Sequence, residues 1–281
     1  MQLLRERAAH AVEEMDLPGC DPVRLDRTYA QFALVNRAVS GWRGIYRSQL
    51  RPRLRQGVKA TLLDIGCGGG DVPVMLSRWA ARDGLGLEIT AIDPDPRASR
   101  FAAERHLATG VRFRQSTAAE LGREGLSFDL VVSNHVLHHL AEEDLPVFLA
   151  ESAALSHGTV IHSDLRRSTG AYALFFAGSW PFTGSYIRQD GLTSIRRSYT
   201  AAELQLVAPP GWTVVRRAPF RNLLTLDKNN ADMDNADKNS ARGGRPGGRR
   251  RAGGPVDGSP AAPAGCQRPD PGTTDHRRSA L

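Results

Sequence analysis

The sequence predicts an α/β fold in which helices surround a doubly wound, mainly parallel sheet. Short apolar runs rich in Val, Ile and Leu alternate with longer amphipathic segments, as strands and helices alternate in such sheets. A glycine-rich turn follows the first run, and polar residues follow several of the others. Because ligands of these sheets bind beyond the carboxyl ends of the strands, those polar residues are the candidate functional positions.

Strands are predicted in the apolar runs, and helices in the amphipathic stretches between them. The strands are expected at residues 61–65, 87–92, 111–115, 130–133 and 159–163. The helices are expected at residues 71–82, 96–106, 142–155 and 200–207. Residues 1–60 are expected to form a helical segment in front of the sheet, because their apolar residues recur close to helical spacing.

The glycine-rich turn reads Asp64-Ile65-Gly66-Cys67-Gly68-Gly69-Gly70 and separates the first strand from a helix. Glycine has no Cβ, so the backbone can turn sharply and a ligand can approach it closely. The free N–H groups at the start of the helix would face that ligand. The turn alone is weak evidence, because nucleotide-binding turns and purely structural turns share it.

Two later strand ends add to this pattern. The second predicted strand ends at Asp93-Pro94, where an acid can bind both hydroxyls of a ribose. The fourth predicted strand ends at Ser133-Asn134-His135. The three features lie in the order that a nucleoside-binding sheet requires.

With these motifs, residues 61–227 resemble the class I S-adenosylmethionine-dependent methyltransferases. The resemblance implies a seven-stranded Rossmann-like methyltransferase sheet that ends in an antiparallel pair at 212–216 and 222–226. A dinucleotide-dependent dehydrogenase is disfavoured, because here the glycines alternate and an acid precedes the first by two residues.

The resemblance also assigns the cofactor contacts. Asp64 would steer the amino group of S-adenosylmethionine, the glycines would line its methionine and ribose, and Asp93 would bind the ribose. The implied set is Asp64, Gly66, Cys67, Gly68, Gly70, Asp93, Pro94, Thr117, Ala118, Asn134 and His135. Relatives usually carry an acid where Thr117 stands. Thr117 either accepts a hydrogen bond from the adenine or caps a short helix.

Three histidines, His135, His138 and His139, follow the fourth predicted strand. No metal is expected there, because neither a third ligand nor outer partners for the histidines are evident from the sequence. In the family this stretch runs beneath the methionine end of the cofactor. His138 is therefore either a base or a packing residue.

The fifth predicted strand leads to the place where the methyl group of the cofactor should lie. Methyl transfer is an in-line displacement that depends on alignment of the reacting atoms. A phenol has a pKa of about 10, so such an acceptor benefits from a base or a cation. The candidate catalytic residues are His162, Asp164 and His138, and the candidate cations are Arg166 and Arg188. The alternative for each arginine is a solvated surface residue.

Residues 169–198 form an insertion before the last helix, and six of the 18 aromatic residues of the chain lie within it. Phe176 and Trp180 are expected to form a lid over a flat acceptor, with Tyr199 also in contact with it. The alternatives are a helix packed on the core and a shallow contact with a membrane surface.

Two resemblances suggest the acceptor. Residues 163–168, 188–191, 194–204 and 218–221 resemble bacterial methyltransferases associated with type III polyketide synthases. Residues 27–43 resemble the front segment of quinone-biosynthesis methyltransferases, where it covers the cofactor and helps form the substrate pocket; the alternative is a packing helix that only caps the sheet. They imply O-methylation of a small phenolic polyketide or quinone-like acceptor in secondary metabolism. The alternatives are a non-catalytic S-adenosylmethionine-binding regulator and an RNA methyltransferase. Amino-group nucleic-acid enzymes usually carry a Pro-Pro-Tyr motif at strand four, which is missing here.

The composition predicts a cytoplasmic protein. The net charge is +7, but more than half of the excess lies in residues 228–281, an Arg-, Gly- and Pro-rich tail that is expected to be disordered. The alternative for this tail is an RNA-binding arm, since Arg-rich disordered segments can fold on binding. Because the rest of the chain is only mildly basic, a nucleic-acid partner is not expected. No secretory signal or apolar membrane span is evident, and the three cysteines lie far apart, as reduced thiols do.

Overall fold

A computed structural model describes residues 4–228 of the chain. Residues 1–3 and 229–281 lie outside the described part, so the tail predicted from residue 228 onward stays a prediction except for Lys228 itself. In the described part, no helix is both long enough and apolar enough to cross a membrane.

The strands form one seven-stranded sheet, in the order β3-β2-β1-β4-β5-β7-β6. The first five strands pair in parallel, whereas β7 runs antiparallel to both β5 and β6. This confirms the predicted doubly wound, seven-stranded sheet and its closing antiparallel pair. The strands are β1 (Lys59–Ile65), β2 (Gly86–Asp93), β3 (Arg112–Gln115), β4 (Phe128–Asn134), β5 (Ser156–Leu165), β6 (Thr213–Arg217) and β7 (Arg221–Asp227).

Helices cover the sheet, and polar side chains cap the first turn of several of them. Asp21 caps the first helix, and Thr117 and Thr200 each form a capping box with the glutamate three residues on. The helices are α1 (Pro22–Val39), α2 (Trp42–Ile45), α3 (Asp71–Arg82), α4 (Pro96–Arg105), α5 (Ala118–Arg123), α6 (Asp144–Ala154), α7 (Thr169–Gly178), α8 (Ile187–Arg197) and α9 (Ala201–Val207). A π-turn (Tyr46–Leu50) continues α2.

The core has two layers because successive side chains of a strand point to opposite faces of the sheet. On β1, Leu63 packs with residues of α5, α6 and α9, whereas Leu62 packs with residues of α2 and α3. Both leucines are fully buried. Each would cost about 2–5 kcal/mol of stability if truncated to alanine. This two-sided burial holds the carboxyl ends of β1, β2, β4 and β5 in register.

The front of the chain is only partly helical, which corrects the prediction of helices from the start of the segment. Residues 4–21 contain a single 3₁₀ turn, Glu14–Asp16, and true helix begins at Pro22. The N–H groups of Glu14 and Met15 donate to the carboxylate of Asp190 at 2.8 and 3.0 Å, and Arg7 donates to the carbonyl oxygens of Leu140 and Arg197. Tertiary partners satisfy these polar groups, so the segment lies extended along α8.

Candidate functional site

The glycine-rich turn connects β1 to α3 in a backbone conformation that favours glycine. Gly66, Gly68 and Gly70 have φ angles of +71°, +51° and +78°. A Cβ on Gly66 would lie 2.5 Å from Cγ2 of Val136, and one on Gly70 would lie 2.7 Å from Cε1 of Phe113. A Cβ on Gly68 would meet nothing within 4 Å. The turn therefore packs tightly at both ends and leaves open space at Gly68.

Asp93, at the end of β2, holds this turn in place. Its Oδ2 accepts a hydrogen bond from the Gly68 N–H at 2.8 Å, and its Oδ1 accepts one from the Asp95 N–H at 3.0 Å. Burial nevertheless raises the pKa of Asp93 above its usual value. The acid that the sequence assigned to a ribose thus lies directly beside the open position at Gly68.

Two further carboxylates, Asp64 and Asp71, lie at the same turn. Asp64 is 1 % exposed, and within the described residues neither of its oxygens has a hydrogen-bond partner; one oxygen of Asp71 has none either. Burial and the nearby charges of Asp71 and Asp93 hold the pKa of Asp64 well above its usual value, and burial raises that of Asp71 to about 6. No salt bridge among residues 4–228 involves Asp64, Asp71 or Asp93. Three carboxyl groups therefore lie at the turn, and no arginine or lysine of residues 4–228 pairs with them.

The end of β4 brings Asn134 and His135 to the edge of the sheet next to the turn. His135 has a φ of +63°, in the left-handed region, and its N–H donates to the Ser163 carbonyl at 3.0 Å. Its Nε2 lies 2.5 Å from a guanidinium nitrogen of Arg221. Burial and this neighbouring cation hold the pKa of His135 well below its usual value. His135 is therefore neutral and accepts a hydrogen bond from Arg221.

Sequence reasoning did not single out Arg221 as a site residue. It begins β7, and because β7 runs antiparallel to β5, its partner in the register is Leu165 at the carboxyl end of β5. Strand direction was the signal that could have revealed it, since the first residue of an antiparallel strand lies at the functional edge.

His138 is held by a carboxylate on one side and approached by another. Asp164 Oδ1 lies 2.7 Å from Nδ1 of His138, and Asp164 Oδ2 accepts the His138 backbone N–H at 2.7 Å. Glu13 Oε1 lies 3.4 Å from Nε2 of His138. Burial opposes a charge here, but the two carboxylates outweigh it and raise the pKa of His138 to about 9. His138 is thus a buried imidazolium at neutral pH.

Glu13 also lies near His139. It is a third potential ligand beside His138 and His139, and no pattern in the sequence indicated it. Glu13 Oε1 lies 3.9 Å from His139 Nε2, and Asp16 lies 3.2 Å from His139 Nδ1. The ligand atoms of Glu13, His138 and His139 all lie within 4.8 Å of one another. Burial opposes ionisation of Glu13, yet the two histidines lower its pKa to about 2. The front segment therefore supplies a charged group to this edge of the sheet.

His162 does not reach the site, which argues against its expected role as a base. Its Nδ1 lies 2.7 Å from the Ser133 hydroxyl and its Nε2 lies 3.0 Å from the Ser152 hydroxyl. The ring stacks on Trp212 and is fully buried. Burial lowers its pKa to about 3. His162 is a satisfied core histidine, because its position in β5 points it towards α6 instead of the edge.

Thr117 and its neighbour Ala118 lie at the start of α5. The Thr117 hydroxyl accepts the Glu120 N–H at 3.2 Å, and the Glu120 side chain accepts the Thr117 N–H at 2.9 Å. The capping role is therefore observed, and contact with adenine stays a prediction. Ala118 is buried in the core. Among the other expected cofactor residues, Cys67 is buried, and burial holds its thiol pKa well above the usual value.

The expected substrate residues fall into two groups. Phe176 and Trp180 are 52 % and 75 % exposed, and the guanidinium of Arg188 lies 4.7 and 5.3 Å from their rings. These three contact one another at the surface of the insertion, so a lid would have to move inward to cover an acceptor. Tyr199 is buried, with Arg7 stacked on its ring at 4.1 Å and its hydroxyl unpartnered among the described residues. Arg166 is half-buried, and its guanidinium lies 6.0 Å from the Phe220 ring.

A cavity of about 300 Å³ lies at the opposite edge of the sheet. Arg53, Lys59, Asp129 and His157 contribute to its lining, and they belong to the amino ends of the strands or to the segment before β1. Doubly wound sheets bind their ligands at the carboxyl ends. Because the strand ends with Asp64, Asp93 and Asp164 lie at the other edge, this cavity is separate from the candidate site.

Comparison with known proteins shows what the central region is similar to. Residues 62–157 match a family model described as a methyltransferase domain. A ubiquinone biosynthesis O-methyltransferase of Azorhizobium caulinodans is 36 % identical over 120 residues, which are 42 % of this chain and 45 % of that protein. A ubiquinone biosynthesis O-methyltransferase of Methylobacterium nodulans is 32 % identical over 160 residues, which are 55 % of this chain and 60 % of that protein. The chain thus spans about half the length of the curated relatives it matches.

Solved structures give more distant matches. Magnesium protoporphyrin IX methyltransferase from Synechocystis PCC 6803, solved with S-adenosylhomocysteine bound, has a TM-score of 0.46 at 18 % identity and covers 71 % of this chain and 84 % of its own. An S-adenosylmethionine-dependent methyltransferase from Aquifex aeolicus has a TM-score of 0.49 at 17 % identity, and the match covers 73 % of this chain and 97 % of that protein. The family match and the curated relatives confirm the resemblance to S-adenosylmethionine-dependent methyltransferases, and to quinone-biosynthesis enzymes among them, that the sequence motifs predicted.

Proposed function

We propose that this protein is an S-adenosylmethionine-dependent methyltransferase that methylates an oxygen of a small phenolic or quinone-like acceptor. The observation that supports it most is the group of three carboxylates at the glycine turn, Asp64, Asp71 and Asp93, which no basic side chain of the described residues pairs with. Membership of secondary metabolism and a cytoplasmic location belong to the same proposal.

The residues of the turn fit this cofactor. S-adenosylmethionine supplies a methyl group on a positively charged sulfur and also carries an ammonium group. Within residues 4–228, the two buried oxygens of Asp64 have no hydrogen-bond donor, so they are free to accept from an ammonium group. The open space at Gly68 lets the cofactor approach the backbone, and Asp93 lies beside it for the ribose. Pro94, Asn134 and His135 would complete the walls of this site.

On the acceptor side, His138 is the candidate base and Asp164 its positioning residue. Because the pKa of His138 is about 9, its neutral form is a minor species at neutral pH and increases as the pH rises towards 9. This neutral form can accept the proton of a phenol, whose pKa is about 10, because the two groups are of similar strength. Asp164 holds both the ring and the backbone of His138, which fixes the direction of its Nε2. The bond to Asp164 also stabilises the imidazolium that forms when the phenol loses its proton.

The remaining candidates would bind the acceptor. Tyr199 is contacted by Arg7 of the front segment, and its hydroxyl has no hydrogen-bond partner among the described residues. Arg166 is half-buried and directly follows β5. Phe176, Trp180 and Arg188 would enter the site only when the insertion closes. We therefore assign them to closure of the site and exclusion of water, not to direct contact in the described conformation.

The proposal is tested by calorimetric titration of the purified protein with S-adenosylhomocysteine, with NAD as the control ligand. Micromolar binding of S-adenosylhomocysteine alone is expected. The second step is incubation with S-adenosylmethionine and a panel of phenols, with mass detection of the O-methylated product. Binding without turnover on any phenol would favour a non-catalytic regulatory protein, and a preference for NAD would contradict the proposal.

A further inference from the structure

Arg221 is a buried cation at the functional edge of the sheet. It is 1 % exposed, although it begins a strand and follows a turn. Arginine is almost never fully buried unless an acid pairs with it, because its charge loses the solvation of water. The partners of this guanidinium therefore indicate what the site is built to hold.

The partners of Arg221 among the described residues are neutral. One guanidinium nitrogen lies 2.5 Å from His135 Nε2, and the other lies 3.4 Å from Asn134 Oδ1 and 3.5 Å from Ser163 Oγ. The Nε atom has no partner. The nearby acid, Asp164, already accepts hydrogen bonds from His138 and Leu165. Burial lowers the pKa of Arg221 to about 10, against the opposing charge of Asp164.

Other buried arginines in the described part of the chain are paired differently. Arg167, 3 % exposed, forms a salt bridge with Glu203, and Arg197, 7 % exposed, lies 3.8 Å from carboxylate oxygens of both Glu13 and Asp16. Those arginines join segments of the fold, and a carboxylate offsets each charge. Among residues 4–228, Arg221 has the burial of a structural arginine but no carboxylate that forms a salt bridge with it, which points to an anion supplied by a ligand.

The position of Arg221 places that anion between the cofactor turn and the candidate base. Arg221 contacts His135, and the next residue, Val136, packs against Gly66 of the glycine turn. On the other side, the rings of His135 and His138 are 6.0 Å apart. A ligand held by Arg221 would therefore lie close to both the cofactor and His138.

We propose that Arg221 recognises an anionic oxygen, a carboxylate or a phenolate, on the aromatic acceptor. Its free Nε–H and the adjacent nitrogen form one edge of the guanidinium, which is the edge that binds two oxygens in parallel. That adjacent nitrogen now contacts Nε2 of His135, and it becomes available when the acceptor takes the place of this neutral ring as its hydrogen-bond partner. This inference rests on the proposed function, and it narrows the acceptor from any phenol to one that binds as an anion.

The test compares two aromatic probes that differ in charge, salicylate and its neutral amide, salicylamide. Each is titrated calorimetrically into the complex of the protein with S-adenosylhomocysteine. The variants are Arg221→Gln, Arg221→Lys and Arg217→Gln, the last being the matched control. Arg217 pairs with Arg221 in the register of β6 and β7, and it is exposed. Thermal unfolding of each variant checks that it folds.

We expect the wild-type protein to bind salicylate about tenfold more tightly than salicylamide, because a charge-assisted pair contributes that much in a buried site. Arg221→Gln should remove the preference, Arg221→Lys should keep part of it, and Arg217→Gln should keep it all. Equal affinities in the wild-type protein, or no binding of either probe, would overturn the proposal. That comparison needs no variant, so it holds even if Arg221→Gln does not fold.

A second arm separates the two sources of the anion. The absorbance of 4-nitrophenol reports its ionisation, so its apparent pKa in the complex can be measured directly. A lowered pKa in wild-type protein but not in Arg221→Gln indicates a phenolate site, and salicylate preference alone indicates a carboxylate site. If S-adenosylhomocysteine does not bind, the proposed function fails. The preference of Arg221 for a charged probe is then measured by the same titrations on the protein without S-adenosylhomocysteine.

Discussion

Asp164 contacts His138 at two points: its Oδ1 lies 2.7 Å from the ring Nδ1, and its Oδ2 lies 2.7 Å from the backbone nitrogen. The two residues lie 26 positions apart and belong to different strand ends. One carboxylate thus sets both the position of the backbone and the charge of the ring. Although Asp164 is fully buried, His138 lowers its pKa, so both partners are ionised at neutral pH.

Asp164→Asn should shift the pH dependence of methyl transfer. Because a carboxylate favours the imidazolium, its loss should lower the pKa of His138 from about 9 by about one unit or more. The neutral form is the base, so the rate should rise with pH up to about 9 in the wild-type enzyme and level off at lower pH in the variant. The maximal rate should fall about a hundredfold, because the ring also loses its orientation.

The pH–rate profile with a phenolic acceptor measures both effects. Asp129→Asn is the matched control, since Asp129 lies 2.9 Å from His157 in an exposed pair at the other edge of the sheet. A profile for Asp164→Asn that superimposes on the wild type would rule out His138 as the base.

Cofactor affinity should increase between pH 5 and pH 7. Burial raises the pKa of Asp71 to about 6, and it also raises those of Asp64 and Asp93. The ionised forms attract the ammonium group of the ligand, so deprotonation on raising the pH strengthens binding. Calorimetry with S-adenosylhomocysteine across this range measures the slope. Asp71→Asn should flatten it, and an affinity that falls with rising pH would contradict the role of these acids.

Asp93→Ala should abolish tight binding of the cofactor. The substitution removes the acceptor for the Gly68 N–H, and it also removes the carboxylate proposed to bind the ribose. A loss of at least about tenfold is expected from charged hydrogen bonds of this kind. Asp83→Ala is a control, because Asp83 lies at the far end of α3 and pairs with Arg51. Unchanged affinity in Asp93→Ala would sink the placement of the ribose.

Alanine at Gly66 and at Gly68 should have different consequences. At Gly66 the methyl group would clash with Val136, so we expect a loss of about 2–4 kcal/mol of stability. At Gly68 only the positive φ is strained, which costs about 1–2 kcal/mol, but the methyl group enters the open space that the cofactor needs. Gly68→Ala should therefore stay folded and lose cofactor affinity by at least about tenfold.

Urea unfolding and calorimetry separate these two effects. Gly57→Ala is the matched control, because Gly57 has a φ of +78° with nothing within 4 Å of its Cβ position and lies before β1. It should show the strain of Gly68→Ala without loss of cofactor affinity. If Gly68→Ala and Gly57→Ala bind the cofactor equally well, the open space is not part of the site.

Local sequence was enough to locate the strands, the glycine turn and the acids at strand ends. Strand periodicity and glycine spacing are short-range signals, because backbone conformation depends mainly on neighbouring residues. The same local logic overestimated helix in residues 4–21, where apolar spacing alone suggested it. There, hydrogen bonds to Asp190 and to distant carbonyl groups replaced those of a helix.

The direction of a side chain was harder to predict than its position along a strand. His162 and Asp164 both lie near the end of β5, on the same side of an alternating strand. His162 lies two residues earlier, where Ser133 and Ser152 satisfy both of its nitrogens in the core. Asp164 lies at the edge, where it meets His138. A separation of two residues along β5 thus distinguishes a core packing residue from a site residue.

The sequence by itself determined the fold class, the sheet with its glycine turn, and the strand ends at which functional groups lie, because hydrophobic pattern and glycine spacing are written in consecutive residues. Only the tertiary structure decided which groups meet. Glu13 reaches His138 from the front segment, and Arg221 reaches His135 from the last strand, across separations that no local pattern encodes. The charges of these four groups depend on their burial and on their neighbours. Burial and neighbours are established only after the sheet and the front segment have packed together.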